Sequence, residues 1–239
     1  MAECFHIFVV YAVCIHSVRN FAMNIPVLYS DNCMLVCEKP VGISSQSPGL
    51  PDMISVQTGF PVWPVHRLDR GTGGVIILAR SPSACAALQK EFLQDLVQKV
   101  YLAVVEGCPS EPSGRYEDLL FHDARKNKSY TVNRVRSGVK TAVCGWETLG
   151  SVPFSDHTFS LVRVSLHTGR THQIRVQFGS RGMPLVGDRR YGSRIKADAP
   201  ALWAAGVSLP HPFAKGSVIR VSSAPPSAFP WNLFRIGGL

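Results

Sequence analysis

The stretch that most constrains this chain is GVIILARSPSACAALQKEFLQDL, followed closely by KVYLAVVEG. Val75 to Leu78 form an uninterrupted apolar run, bounded by glycines before and a charge after. A short run of that kind reads as a strand covered on both faces. Ser81 is placed to cap a helix and Pro82 suits its first position, where a missing N–H costs nothing. Ala84, Leu88 and Phe92, with Cys85 and Leu96 nearby, then recur at helical spacing and give one apolar face. Val100 to Val105 return to β-branched and aromatic residues, a second strand. Further on, SYTVNRV, KTAVCGWETLG, TFSLVRVSLHTG and GSVIRVSSAP carry strand composition, while RTHQIRVQFGSRG predicts a helix stopped by Gly182. At the front, two short β-rich runs flank a turn at Asp31-Asn32, and the span from Gly42 to Pro64 predicts mostly loop. The expected class is α+β: a predominantly antiparallel mixed sheet with flanking helices. No linker divides residues 23–239, which are expected to form one domain.

Charge narrows the partner. Twenty-five Lys and Arg against sixteen Asp and Glu leave +9, which points to a polyanion, most simply nucleic acid. The seven cysteines include no CxxC pair and no zinc-finger spacing, so a reducing compartment and no metal are expected. The run FHIFVVYAVCI, Phe5 to Ile15, is too short to span a bilayer and lacks the basic start of a signal peptide. Residues 1–22 are expected to be an extension of uncertain role. The protein is expected to be cytoplasmic, or in an organelle matrix if that extension targets it, and away from membranes.

Two segments concentrate chemistry. In PVHRLDRGTGG, Asp69 lies among His66, Arg67 and Arg70, with glycines that let backbone approach a ligand. The neighbouring arginines surround it with positive charge. In LHTGRTHQIRVQFGSRGMPLVGDRRYG, Arg170, His172, Arg175, Arg181, Arg189 and Arg190 accompany a single acid, Asp188, expected to brace a loop. Such density of arginine suits phosphate contacts. Arg170 and Arg175 are five residues apart, so one can face a ligand while the other points inward.

These segments resemble the RluA family of RNA pseudouridine synthases. CEKPVG is similar to that family's lysine-proline-x-glycine segment, HRLDRGTGG to its His-Arg-Leu-Asp signature and KVYLAVVEG to its tyrosine segment. TGRTHQIRVQ and PLVGDRRYG resemble its two C-terminal signatures, and all occur in family order between Ile25 and Ser223. The resemblance implies the pseudouridine synthase catalytic fold and conversion of uridine to pseudouridine in structured RNA, rRNA or tRNA, with no cofactor. It implies Asp69 as the catalytic aspartate, Arg175 as its arginine partner and Tyr101 as the ring that stacks on the target base. Arg67 is implied as the side chain that enters the RNA stack. His66, Lys39, Arg170 and His172 are expected on the substrate-binding side of the site, with the two histidines as hydrogen-bonding braces and not as acid or base. The reaction breaks C1′–N1, turns the ring and joins C1′ to C5, on a base flipped out of any helix. An aspartate anion serves it as nucleophile or base.

The chain departs from the family pattern at Gly73 (usually Ser), Glu38 (usually Asn), Gln177 (usually His) and Trp203 (usually His). No separate RNA-binding domain of S4 type is expected ahead of the motifs, and a monomer is expected. The competing reading is a non-catalytic relative that binds RNA or assists ribosome assembly. Asp69, Tyr101 and Arg175 together favour the enzyme, because binding alone needs no buried anion.

Overall fold

In the computed structural model, residues 24–237 are described. The N-terminal run from Phe5 to Ile15 and the extension it belongs to lie outside them. Eleven strands form one sheet. In chain order they are β1 Val27–Ser30, β2 Met34–Lys39, β3 Trp63–Pro64, β4 Gly73–Ala79, β5 Gln98–Glu106 and β6 Ser113–Asp123. After these come β7 Lys128–Val132, β8 Val139–Phe154, β9 His157–Leu166, β10 Leu202–Pro210 and β11 Val218–Ser222. Their order across the sheet is β1-β2-β4-β10-β5-β9-β8-β6-β7, with β3 added to β4 and β11 to β10. Pairing is antiparallel except between β10 and β4, so the expected mixed, mostly antiparallel sheet is what forms. No helix among the described residues is long and apolar enough to cross a membrane.

β4 is buried along its whole length. Ile76 and Leu78 pack on one face of the sheet with Tyr101, Ala103 and Val105 of β5. Val75, Ile77 and Ala79 pack on the other face. Helix α2, Pro82–Leu93, covers that second face with Ala84 and Leu88, and the Ser81 hydroxyl accepts the Ala84 N–H at 3.1 Å. The first face carries α1, Leu50–Thr58, and α3, Gln173–Gly179, through Leu50, Ile54, Ile174 and Phe178.

Helix α1 corrects the loop expected between Gly42 and Pro64. Its Gly, Ser and Pro content is concentrated ahead of the helix, where Asp52 accepts the Ser47 hydroxyl at 2.6 Å and the Gly49 N–H at 2.7 Å. Pro51 occupies the first turn, which tolerates it. Helix α3 is shorter than expected, because His172 takes a left-handed backbone (φ 57°) and the helix starts only after it.

Two of the departures from the family pattern meet across β4 and β10. Gly73 pairs with Trp203, and a Cβ on Gly73 would lie 2.3 Å from the indole ring. The indole is buried and donates to the Ser223 carbonyl at 3.1 Å, so it has little room to move. Ser223 in turn donates to Glu38, a third departure. Gly73 and Trp203 are therefore one adaptation. Gly73→Ser alone should cost about 1–3 kcal/mol by overpacking. Combining it with Trp203→His should cost less than the two changes summed. Chemical denaturation of the four proteins measures this, and strictly additive losses would show the two sites to be independent.

Candidate active site

Asp69 sits in the loop between β3 and β4, and that loop is held from several sides. β3 pins its entrance against β4. The Ser45 hydroxyl donates to the Leu68 carbonyl (2.8 Å) and accepts the Leu68 N–H (3.0 Å). Arg70 Nε donates to the Gly42 carbonyl at 2.7 Å, and Gly42 N–H returns a bond to the Arg70 carbonyl. Within the loop, Thr72 N–H donates to the Asp69 carbonyl. A carboxylate on such a loop is preset before any substrate arrives.

The side chain of Asp69 opens on a cleft of about 100 Å³ whose walls include Arg67, Tyr101, Arg170, His172, Arg175 and Leu202. Arg175 Nη1 donates to Asp69 Oδ2 at 3.3 Å. The tighter bonds of Arg175 go to Asp188: Nε to Oδ2 at 2.6 Å and Nη2 to Oδ1 at 2.9 Å. Asp188 is therefore more than a loop brace. Its carboxylate, 1% exposed, takes the guanidinium in a two-point grip and leaves the remaining nitrogen aimed at Asp69. Tyr101 enters from β5 at the register that faces this side of the sheet. Burial, with the Asp69 charge beside it, pushes its phenol pKa up, so it stays neutral.

His172 lies on the Asp69 side of the cleft, its Nε2 3.7 Å from Asp69 Oδ2. Its Nδ1 and the Tyr191 hydroxyl are 2.9 Å apart. Tyr191, in a 3₁₀ turn Arg189–Tyr191, already accepts the Ser129 N–H at 2.8 Å from β7. If the phenol proton goes to Nδ1, the imidazole proton lies on Nε2, facing Asp69. Burial pulls the His172 pKa down to about 4, so the ring is neutral near pH 7. Sequence reasoning passed over Tyr191 and Ser129. The GDRRYG motif placed Tyr191 near the site, but no local pattern marks Ser129, whose contact spans 62 positions.

Of the other expected substrate contacts, Arg67 and Arg170 stand exposed at the mouth. Arg170 is anchored by Nε to the Thr141 carbonyl at 2.9 Å. Two expectations are corrected. Lys39 is fully buried and does not line the cleft. Its ammonium donates to the carbonyls of Pro40 (2.9 Å), Ile43 (2.8 Å) and Arg70 (3.4 Å), tying the turn after β2 to the Asp69 loop. Burial lowers its pKa to about 8, with the charge of Asp69 opposing the shift. His66 points away from the cleft, where Nε2 accepts the Ile77 N–H at 3.0 Å and the ring stacks on Phe92. Burial, then the charge of Lys99, brings its pKa to about 4. Both residues hold the scaffold and not the substrate.

Among the described residues one cluster, Asp31, Cys33 and His211, groups atoms able to ligate a metal. Its wiring does not suit one. The N–H groups of Phe213 and Ala214 both donate to His211 Nδ1, so the ring proton sits on Nε2 and points at Asp31 Oδ2, 2.9 Å away. A ligating histidine donates from its other nitrogen, the reverse of this arrangement.

Comparison with known proteins agrees with the geometry. A family model described as RNA pseudouridylate synthase matches residues 33–180. A relative from Bacillus subtilis (strain 168), named an uncharacterised RNA pseudouridine synthase, is 33% identical over 214 residues, 84% of this chain and 69% of its own. One from Zymomonas mobilis, similarly named, is 36% identical over 176 residues, 70% of this chain and 78% of its own. The fold is shared with the human RNA pseudouridylate synthase domain containing 1 protein, at TM-score 0.74 and 22% identity over 86% of this chain and 85% of that one. The human domain containing 4 protein superposes at TM-score 0.71, again with 22% identity, over 87% and 91% of the two chains. With the family model spanning most of the sheet and the Asp69 cleft, this chain belongs to the RNA pseudouridylate synthase family.

Proposed function

We propose that Asp69 is the group with which this RNA pseudouridine synthase isomerises uridine, and that structured RNA, ribosomal or transfer, is the substrate. The observation that carries the reading is the joint placement of Asp69, Arg175 and Tyr101 on one narrow cleft. A uracil flipped into it meets the Tyr101 ring, and such stacking is worth about 1–3 kcal/mol per base. Asp69 then acts on the reacting nucleotide as nucleophile or base while C1′–N1 breaks. The freed ring turns, C1′ bonds C5, the C5 proton leaves and N1 gains one, so product and substrate have the same composition. Arg175 faces the aspartate throughout and is always charged. Arg67 at the rim is placed to fill the space the base vacates.

In this reading His172 and Tyr191 are positioning residues: they present an N–H to Asp69 and do not exchange protons with RNA. Tyr191→Phe removes the hydroxyl that sets the tautomer and keeps the ring. Turnover should fall about tenfold with KM little changed, as expected when a carboxylate is less well aimed. Nitrogen-15 NMR of His172 should show the proton on Nε2 in the wild type and shared between both nitrogens in the variant. An unchanged tautomer in a slow variant would show that Tyr191 acts by packing alone. Mapping pseudouridines in RNA from cells with and without the gene tests the activity and identifies the RNA.

A further inference from the structure

The positive charge is unevenly distributed over the sheet. Arg115, Arg163, Arg175 and Arg181 each pair with a carboxylate. Between Ala124 and Trp146 there is no Asp or Glu at all. That span carries Arg125 and Lys126 in the β6–β7 turn, Lys128 on β7, Arg134 and Arg136 in the β7–β8 loop, and Lys140 at the start of β8. None of them forms an ion pair among the described residues, and all but Lys128 are exposed. β7 is the last strand at this side of the sheet. Lysine on an edge strand protects it from pairing with another chain. That purpose would put the charge on β7 itself, whereas five of these six cations lie off it.

The charged edge is fastened to the cleft. Arg190, beside the Asp188–Arg175 pair, donates from Nη1 to the carbonyls of Lys126 and Asn127, each at 2.7 Å. The Ser129 hydroxyl donates to the Thr171 carbonyl at 2.6 Å, and Thr171 lines the cleft. Arg170, at the mouth, is anchored on Thr141 of β8. A strand of RNA with one nucleotide inside the cleft must continue over its rim, and on the side of Arg170 and Thr171 that rim is bonded to this edge.

We infer that the β6–β7–β8 edge binds the phosphate backbone of the RNA that flanks the target uridine. The inference rests on the reading of the cleft as the uridine site. Charge complementarity supports RNA as the occupant, as does continuity with the cleft. An acidic protein is a poorer fit, because the span exposes one large apolar side chain, Val135, where a protein interface has a hydrophobic centre.

The test is binding of a fluorescein-labelled RNA hairpin with a uridine-rich loop, followed by anisotropy across a salt series. The variant Arg134→Gln/Arg136→Gln/Lys140→Gln should bind about ten- to a hundredfold more weakly. Its log–log salt slope should shrink by about 2, from roughly 0.7 per lost phosphate contact. A control, Lys90→Gln/Lys215→Gln/Arg220→Gln, removes the same charge from exposed positions on α2, the β10–β11 loop and β11. It should lose much less. Equal losses in both variants would overturn the proposal in favour of a general charge effect. Unchanged affinity and slope in the first would also overturn it, and would hand the edge to an acidic protein partner. Binding is scored without chemistry, so a wild type that bound the hairpin yet made no pseudouridine in any RNA would defeat the catalytic reading and leave this one standing.

Discussion

Asp69→Asn should abolish pseudouridine formation while leaving RNA affinity unchanged or slightly improved. The side chain keeps its size in a loop fixed by Ser45, Arg70 and Lys39, so the fold has no reason to respond. An amide is neither a competent nucleophile nor a base, and loss of such a group costs on the order of 10³-fold or more in turnover. Affinity should hold because removing a negative charge beside RNA does not weaken phosphate contacts. Single-turnover assays on RNA bearing tritium at uridine C5 measure this through tritium release. Release at near wild-type rate from Asp69→Asn would show that another group carries the chemistry, whereas no release from the wild type itself would move the protein to the class that binds RNA without modifying it.

The Asp69 loop was legible in the sequence because its chemistry is local. Asp69 lies within a few residues of the arginines and glycines that mark it. The strand and helix from Gly73 to Leu93 were legible for a similar reason, since burial period and the Ser81-Pro82 cap are local signals. Lys39 and His66 were misassigned because composition shows what a residue can do but not which way it faces. A lysine next to proline and glycine suits a phosphate as well as three carbonyls, and only the turn after β2 decides. Helix α1 was hidden because its start is built from Gly, Ser and Pro, the usual marks of loop. The grip of Asp188 on Arg175 was hidden differently. The resemblance implies Asp69 as the partner of Arg175 and Asp188 reads as a loop brace, so only the fold, which puts the two shorter bonds of Arg175 on Asp188, ranks the two carboxylates.

That ranking has a measurable consequence. Arg175→Met should abolish turnover and destabilise the protein by about 3–5 kcal/mol, the usual cost of stranding a buried charge. The stranded group is chiefly Asp188. Its carboxylate is 1% exposed and both of its oxygens bond only to Arg175 among the described residues. Asp69 makes one longer bond to the same guanidinium, and its side chain, 18% exposed, opens on the cleft where water can replace the contact. Asp188→Asn added to Arg175→Met should therefore restore much of the lost stability, while Asp69→Asn added to it should restore little. Neither double variant should regain activity. Asp188→Asn alone should slow turnover by about 10- to 100-fold, because Arg175 keeps its charge but loses the anchor that aims it. Urea denaturation of the single and double variants gives the two coupling energies directly. A larger coupling of Arg175 to Asp69 than to Asp188 would reverse the assignment and make Asp69 the structural partner of the arginine.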